Sequence, residues 1–329
     1  MNEGKTQSPE SGFYAGMEIT MSNTNQPAAS STRSAFIALI GRPNVGKSSL
    51  LNAMVGRKVA IVSDKPQTTR NRIMGVLTRG ETQLVFLDTP GAHRPRTRLG
   101  DFMVKSISEA VSGVDTAALV VEPIPGSVKD EEKNLLAQCA KSKLPVVLVI
   151  NKVDTLADKG VVLQCIDQWR GEFDFAAVLP ISALTGDGVE AVVDELSTFA
   201  FESPHFFPDD MVSDQPERVV AAELIREKML LLLRDEIPHG VAVVIENSAE
   251  RETENGPILD LDAYIYCERE SHKGIIIGKR GGMLKEIGTQ ARQEMEALFG
   301  AKVNLQCWVK VKEDWRNRQG LLNGFGYKL

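Results

Sequence analysis

Cysteine and histidine are scarce, with four of each in 329 residues. Cys139, Cys165, Cys267 and Cys307 lie far apart and share no paired spacing. That argues against a disulfide framework or a thiolate metal site and for buried thiols in a reducing compartment. His93, His205, His239 and His272 form no ligand pair at helical or hairpin spacing, so no metal is expected beyond one that enters with a ligand. No apolar run approaches the length of a membrane span. Residues 1–33 are rich in Ser, Thr, Asn, Gln and Glu and contain no apolar block of the signal-peptide kind, so a disordered tail is expected.

Positive charge is in deficit overall, with a formal net charge of −6, which at first argues against a nucleic-acid partner. Its distribution argues the other way. Residues 271–329 hold eleven Lys or Arg against five Asp or Glu, a local surplus of six positive charges. Such asymmetry points to a polyanion. The hydrophobic share of 43% and charged share of 25% are those of an ordinary globular protein, and the length suits two domains.

One stretch organises the chain. The apolar run Ala35–Ile40 has the length of a buried parallel strand, Gly41-Arg42-Pro43-Asn44-Val45-Gly46-Lys47-Ser48 follows it, and Ser49–Val55 continues at helical spacing. Strand, glycine loop and helix in that order make a phosphate cradle: the glycines let backbone N–H groups turn inward, and the helix contributes its positive end. Gly41, Asn44, Val45, Gly46, Lys47, Ser48 and Ser49 are the candidate phosphate-binding residues. Lys47 is placed for the β- and γ-phosphates and Ser48 for Mg²⁺.

Downstream pieces fit the same chemistry. Pro66-Gln67-Thr68-Thr69-Arg70 offers hydroxyls about twenty residues beyond the loop, and one of Thr68 or Thr69 is expected to complete the Mg²⁺ shell and touch the γ-phosphate. The strand Leu84–Leu87 runs into Asp88-Thr89-Pro90-Gly91, where Asp88 is a candidate Mg²⁺ partner through water and the Gly91 N–H a γ-phosphate donor. The polar, basic stretch 92–98 is expected to be a mobile second switch. Lys47, Thr68, Thr69 and Gly91 are the candidate catalytic groups. The strand Val146–Ile150 delivers Asn151-Lys152-Val153-Asp154. The Asp154 carboxylate can accept from guanine N1–H and the N2 amine, donors that adenine lacks there. Asn151 is expected to brace the loop and contact the base, and the Lys152 stem to lie over the ring. Ser182, Ala183 and Leu184 close the base site, with the Ala183 N–H aimed at guanine O6. Each candidate stands at the C-terminal edge of an expected strand, where ligands of open α/β sheets bind.

This set resembles the guanine-nucleotide motifs of the translation-associated small GTPases, over residues 35 to about 200. The resemblance implies a Ras-like α/β domain with a three-layer, mostly parallel sheet, GTP or GDP as ligand and Mg²⁺ as cofactor. Asn44 resembles the asparagine by which a subgroup of these GTPases holds K⁺. Position 92 departs from the Ras pattern: alanine stands where glutamine would orient the attacking water. Slow intrinsic hydrolysis, stimulated by K⁺ or RNA, is therefore expected.

The chain then divides: the tail at 1–33, the nucleotide domain at 34–203, a Pro- and Asp-containing linker at 204–216 and a second domain at 217–329. That domain reads as helix, strand, strand, helix, helix, strand, with an acidic loop at 247–257. Gly278-Lys279-Arg280-Gly281 lies between its later helices, so a sugar-phosphate chain can pass close over the glycines while Lys279, Arg280 and Lys285 neutralise phosphates. In this context the segment resembles an α+β type II KH domain. The two domains together resemble the Era family of bacterial small-subunit assembly GTPases, over residues 33–329. That implies a monomer which binds the 3′ end region of 16S rRNA and acts in 30S ribosomal subunit assembly and processing. It also implies a cytoplasmic protein in peripheral contact with the inner membrane. The rival expectation is an RNA-binding scaffold whose nucleotide site is structural.

Overall fold

The computed structural model describes residues 31–126, 128–254 and 256–327. Nearly all of the expected disordered tail lies outside them, and Arg33, its last residue, already begins a strand.

Strands β1 (Arg33–Ile40), β2 (Ile73–Arg79), β3 (Thr82–Asp88), β4 (Thr116–Val121), β5 (Val146–Ile150), β6 (Ala177–Pro180) and β7 (Phe201–Glu202) form one sheet. Its order is β2-β3-β1-β4-β5-β6, with β7 pairing against the start of β1. All pairings are parallel except β2 with β3 and β1 with β7. Strand β1 sends Ala35, Ile37 and Leu39 into one hydrophobic cluster and Ala38 and Ile40 into another. A strand apolar on both faces needs a layer of helices on each. Helices α1 (Lys47–Val55) and α5 (Val189–Ser197) cover the first face; α2 (Arg98–Ser112), α3 (Asp130–Lys141) and α4 (Gly160–Arg170) cover the second. This is the Ras-like, three-layer arrangement.

Helix α2 was not foreseen, although Leu99, Met103, Ile107, Ala110 and Val111 recur at helical spacing and are all buried. Thr97 caps it by accepting from the Gly100 N–H at 3.2 Å.

The segment 204–216, expected as a linker, is fastened along the sheet edge. Gln83 Oε1 accepts from the Phe206 and Phe207 N–H groups at 2.8 and 3.0 Å, and the Val76 N–H donates to the Val212 carbonyl at 3.0 Å. The Phe206 ring meets Phe36 edge-on at 5.1 Å.

The second domain contains α6 (Glu217–Leu232), β8 (Ala242–Thr253), β9 (Gly256–Cys267), α7 (Glu270–Ile277), α8 (Gly282–Phe299) and β10 (Lys302–Val311), followed by α9 (Gln319–Gly324). Its sheet runs β10-β9-β8, with β9 parallel to β10 and antiparallel to β8. The helix and strand order is that of a type II KH domain. The expected acidic loop at 247–257 is instead mostly strand: β8 continues past a bulge between Ile245 and Asn247, and its charges lie exposed or are paired across strands, as in the 2.6 Å contact of Arg251 with Asp260. Pairing with a neighbouring strand overrides the loop-like composition.

Two clusters join the domains. Ile61 packs into the KH core with Ile225 and Met229, while Leu99 and Met103 of α2 pack with Trp315, Leu322 and Tyr327 of the C-terminal tail.

Candidate nucleotide site and nucleic-acid groove

The loop 41–46 leaves the C-terminal end of β1 and turns back into α1. Gly46 has φ +99°, and a Cβ there would lie 2.1 Å from Asn151 Nδ2, so only glycine fits. Val45 is fully buried in the core and anchors the loop from below. Asn44 adopts a left-handed backbone and its Nδ2 donates to the Asp64 carbonyl at 2.6 Å. Lys47 Nζ donates to the Gly41 and Arg42 carbonyls at 3.0 and 2.8 Å, folded over the cradle a phosphate would fill. Burial lowers its pKa to about 8, against the pull of Asp88.

Ser48, Thr69 and Asp88 converge. Ser48 Oγ lies 2.5 Å from Asp88 Oδ2 and 2.8 Å from Thr69 Oγ1. Burial raises the Asp88 pKa to about 6, with Lys47 opposing, and its Oδ1 is buried without a partner among the described residues. Two hydroxyls and one carboxylate with an orphaned oxygen suit a hard cation that keeps waters and takes its other ligands from phosphates, so Mg²⁺ fits. The pair left open by sequence separates here: Thr69 joins this set, whereas the Thr68 hydroxyl bonds Ser63 Oγ at 2.7 Å and the Lys65 carbonyl at 2.6 Å. Gly91 presses on the loop, since a Cβ there would lie 2.4 Å from Pro43 N. The Ala92 N–H donates to the Gly41 carbonyl at 3.0 Å, which keeps this turn beside the phosphate cradle.

A cleft of about 300 Å³ over the loop, lined by Ser48, Ser49, Thr68 and Thr69, adjoins one of about 610 Å³ lined by Asn52, Lys152, Asp154, Ala183 and Leu184. Asn151 Nδ2 donates to the Val45 carbonyl and its Oδ1 accepts from the Ala183 N–H, both at 2.9 Å. The donor expected for guanine O6 is therefore already engaged by Asn151. Lys152 is stretched across the cleft wall, its Nζ 2.5 Å from Glu122. Asp154 is exposed and has no protein partner among the described residues, and Leu184 is also exposed. Ser182 is buried beneath them, its Oγ accepting from the Thr185 N–H.

In the second domain, Gly278 (φ +72°) and Gly281 (φ +77°) bracket Lys279 and Arg280 in the turn between α7 and α8. A Cβ at Gly278 would lie 2.6 Å from Met283 Cβ. Lys279, Arg280 and Lys285 are exposed and form no ion pair among the described residues. Beside them runs a groove of about 360 Å³ between α8 and β10, lined by Leu284, Lys285, Gly288, Arg292, Leu305 and Cys307. An apolar floor under a basic glycine turn suits single-stranded nucleic acid.

Comparison with known proteins decides the lineage. The 50S ribosome-binding GTPase profile matches residues 36–152 and the KH domain profile residues 236–316. GTPase Era of Clostridioides difficile is 50% identical over 295 residues, covering 90% of this chain and 98% of that one. The chain belongs to the Era family of GTPases. GTPase Era of Ruminiclostridium cellulolyticum is also 50% identical, covering 91% of this chain and 98% of that one. A crystal structure of an Aquifex aeolicus Era variant bound to GDP·AlF4⁻ superposes with a TM-score of 0.86 at 38% identity, covering 91% of this chain and all of that one. A structure of Era with MgGDPNP and nucleotides 1506–1542 of 16S ribosomal RNA has the same TM-score and the same two coverages at 37% identity. As an Era-family member the chain is a GTP-hydrolysing enzyme.

Sequence reasoning missed residues that shape the Era-type nucleotide site. Asn52 Oδ1 accepts from the Val59 and Ala60 N–H groups at 2.9 and 3.0 Å, holding the wall of the base cleft. Arg42 donates to the fully buried Glu132 at 2.8 Å, tying the phosphate loop to α3. Glu132, in the first turn of α3, gave a signal as an acid at a helix start; Asn52 gave none.

Proposed function

We propose that this chain is a GTP-driven switch that binds the 3′ end region of 16S rRNA through its KH groove and acts in 30S subunit assembly and processing. The observation that carries this reading is the trio Lys279, Arg280 and Lys285, without ion-pair partners among the described residues, beside a groove floored by Leu284, Leu305 and Cys307, on a domain packed against the nucleotide switch. The relative solved with MgGDPNP and a 16S rRNA fragment supports it. Ser48 and Thr69 would ligate Mg²⁺ directly and Asp88 through water. Bound Mg²⁺ neutralises charge developing on the phosphates. Lys47 holds the phosphates, and Gly91 brings its N–H to the γ-phosphate end of the cradle.

Ala92 offers no side chain to orient water, so hydrolysis is slow until K⁺ or RNA assists. Asn44, whose amide already touches the Asp64 carbonyl, is the K⁺ candidate. A cytoplasmic monomer with peripheral contact to the inner membrane completes the reading; no described helix is long and apolar enough to cross a membrane.

Fluorescence anisotropy with a labelled single strand matching the 16S 3′ end, and with a scrambled strand, tests the partner. The expected result is preferential binding that differs between GTP-analogue and GDP states. Equal binding of both strands overturns the rRNA reading. Binding that ignores nucleotide, together with hydrolysis that responds to neither K⁺ nor RNA, favours the scaffold.

A further inference from the structure

We propose that the KH domain completes the nucleotide site: Arg226 of α6, together with Arg70, acts as a positioning residue that holds Thr69 against Ser48 and Asp88. The proposal rests on Thr69 being the switch ligand to Mg²⁺. Thr69 Oγ1 lies 2.8 Å from Ser48 Oγ, yet nothing in the phosphate loop holds the residues on either side of it. The KH domain does.

On the N-terminal side, Arg226 Nη2 donates to the Thr68 carbonyl and Nη1 approaches the Gln67 carbonyl at 3.5 Å. Gln67 has φ +62°, a left-handed backbone that a residue with a side chain keeps only under outside constraint. Arg226 is 1% exposed, and its guanidinium is aimed by Glu223, whose Oε1 accepts from Nε at 2.9 Å and whose Oε2 accepts from Nη2. Burial works against its charge, and Glu223, with help from Tyr327 and Glu227, more than offsets it and holds the guanidinium pKa above its ordinary value.

On the C-terminal side, Arg70 leaves the switch and enters the KH domain. Its Nη1 donates to the Val241 carbonyl at 2.6 Å, its Nη2 to the His239 carbonyl at 2.9 Å, and its guanidinium lies 5.8 Å from the Trp315 ring centroid. Among the described residues no carboxylate pairs with it, and its one further hydrogen bond runs from Nη1 to the Tyr327 hydroxyl at 3.3 Å, so the guanidinium is held only while seated in the KH domain. Unseated, it returns to water. Farther back, the Val62 N–H donates to Glu227 Oε1 at 2.9 Å. The threonine is thus strung between an arginine of the RNA-binding domain that grips the switch and an arginine of the switch that is seated in the RNA-binding domain. Coupling of this kind is reciprocal: a docked KH domain favours Thr69 on the metal, and a bound triphosphate favours docking.

The test uses full-length Arg226→Ala, Arg226→Lys and Thr69→Ala. It measures affinity for GDP and for a non-hydrolysable GTP analogue with Mg²⁺, and single-turnover hydrolysis. In Arg226→Ala, GDP affinity is expected to stay within about twofold while analogue affinity and hydrolysis each fall about tenfold, inside the usual range of site coupling. Arg226→Lys, which keeps the charge on a single ammonium nitrogen but loses the planar fork, should lose roughly threefold. Thr69→Ala should lose triphosphate preference and hydrolysis outright. If Thr69→Ala does so while Arg226→Ala retains both, or if GDP and analogue affinities fall together in Arg226→Ala, the positioning role is overturned. If Thr69→Ala retains both, the metal-ligand reading fails and the proposal fails with it. Should Arg226→Ala not fold, an unchanged Arg226→Lys overturns the role by itself.

Discussion

The Asn151 side-chain amide reaches the Val45 carbonyl at 2.9 Å, crossing from the base-binding loop to the phosphate loop. Its other end accepts from the Ala183 N–H, so one side chain sets the distance between the parts of the cleft that grip phosphate and base. Asn151→Ala would leave a buried carbonyl and an amide unpaired. An orphaned buried group costs about 1–3 kcal/mol, so GDP affinity should fall by about tenfold or more. Isothermal titration with Mg²⁺ present measures it.

Asp154 is free of protein partners among the described residues and lines the cleft that Lys152 and Ala183 border. As a carboxylate it accepts two hydrogen bonds from guanine. As an amide it can accept one and donate one, matching xanthine, which carries an oxygen where guanine has the amine. Hydrogen bonds to charged groups are worth about 1.5–3 kcal/mol each. Asp154→Asn should therefore weaken GTP by roughly 10²-fold and bring XTP to parity or better. Competition of both nucleotides against a fluorescent GDP derivative reads out the exchange.

Lys279 and Arg280 project from the turn between α7 and α8 without ion-pair partners among the described residues. Each phosphate neutralised on a single strand contributes about 0.7 to the slope of log affinity against log salt. Changing both to Ala should flatten that slope by about 1.4 and weaken binding similarly for every sequence. GDP affinity should not change. An unaltered slope would mean that the glycine turn only links two helices.

How much of this was legible in the chain depends on how local the cause is. The phosphate loop, the Asp88 turn and the Asn151 loop follow strands buried on both faces, and such strands announce themselves as continuous apolar runs. The ends of β5 and β6 were legible to the residue. Long-range causes were not. Strand β8 runs through Glu250 and Glu252 because β9 lies beside it, and no local property of those residues says so. Choosing between Thr68 and Thr69 required knowing which hydroxyl Ser63 would take. Nothing in the sequence marks Arg70 or Arg226, each 1% exposed, because the carbonyls that they hold across the domain boundary lie more than 150 residues away in sequence.

The C-terminal tail offers a last, separate measurement. Trp315 is fully buried, stacks on Tyr327 with ring centroids 6.0 Å apart and donates from Nε1 to the Gly240 carbonyl at 3.0 Å. Around it pack Leu99 and Met103 of the helix that follows the second switch, together with Ala242 and Tyr266 of the KH sheet. Removing a buried tryptophan leaves a cavity and costs about 3–5 kcal/mol. In Trp315→Ala the emptied volume faces both domains, so the loss should appear as separation of a single urea transition into two, the KH domain melting first. Trp315→Phe fills most of the space but leaves the Gly240 carbonyl unpaired, a penalty of about 1–3 kcal/mol. It should therefore move the midpoint without splitting the transition. If Trp315→Ala unfolds in one step at the wild-type midpoint, the tail does not fasten the two domains to each other.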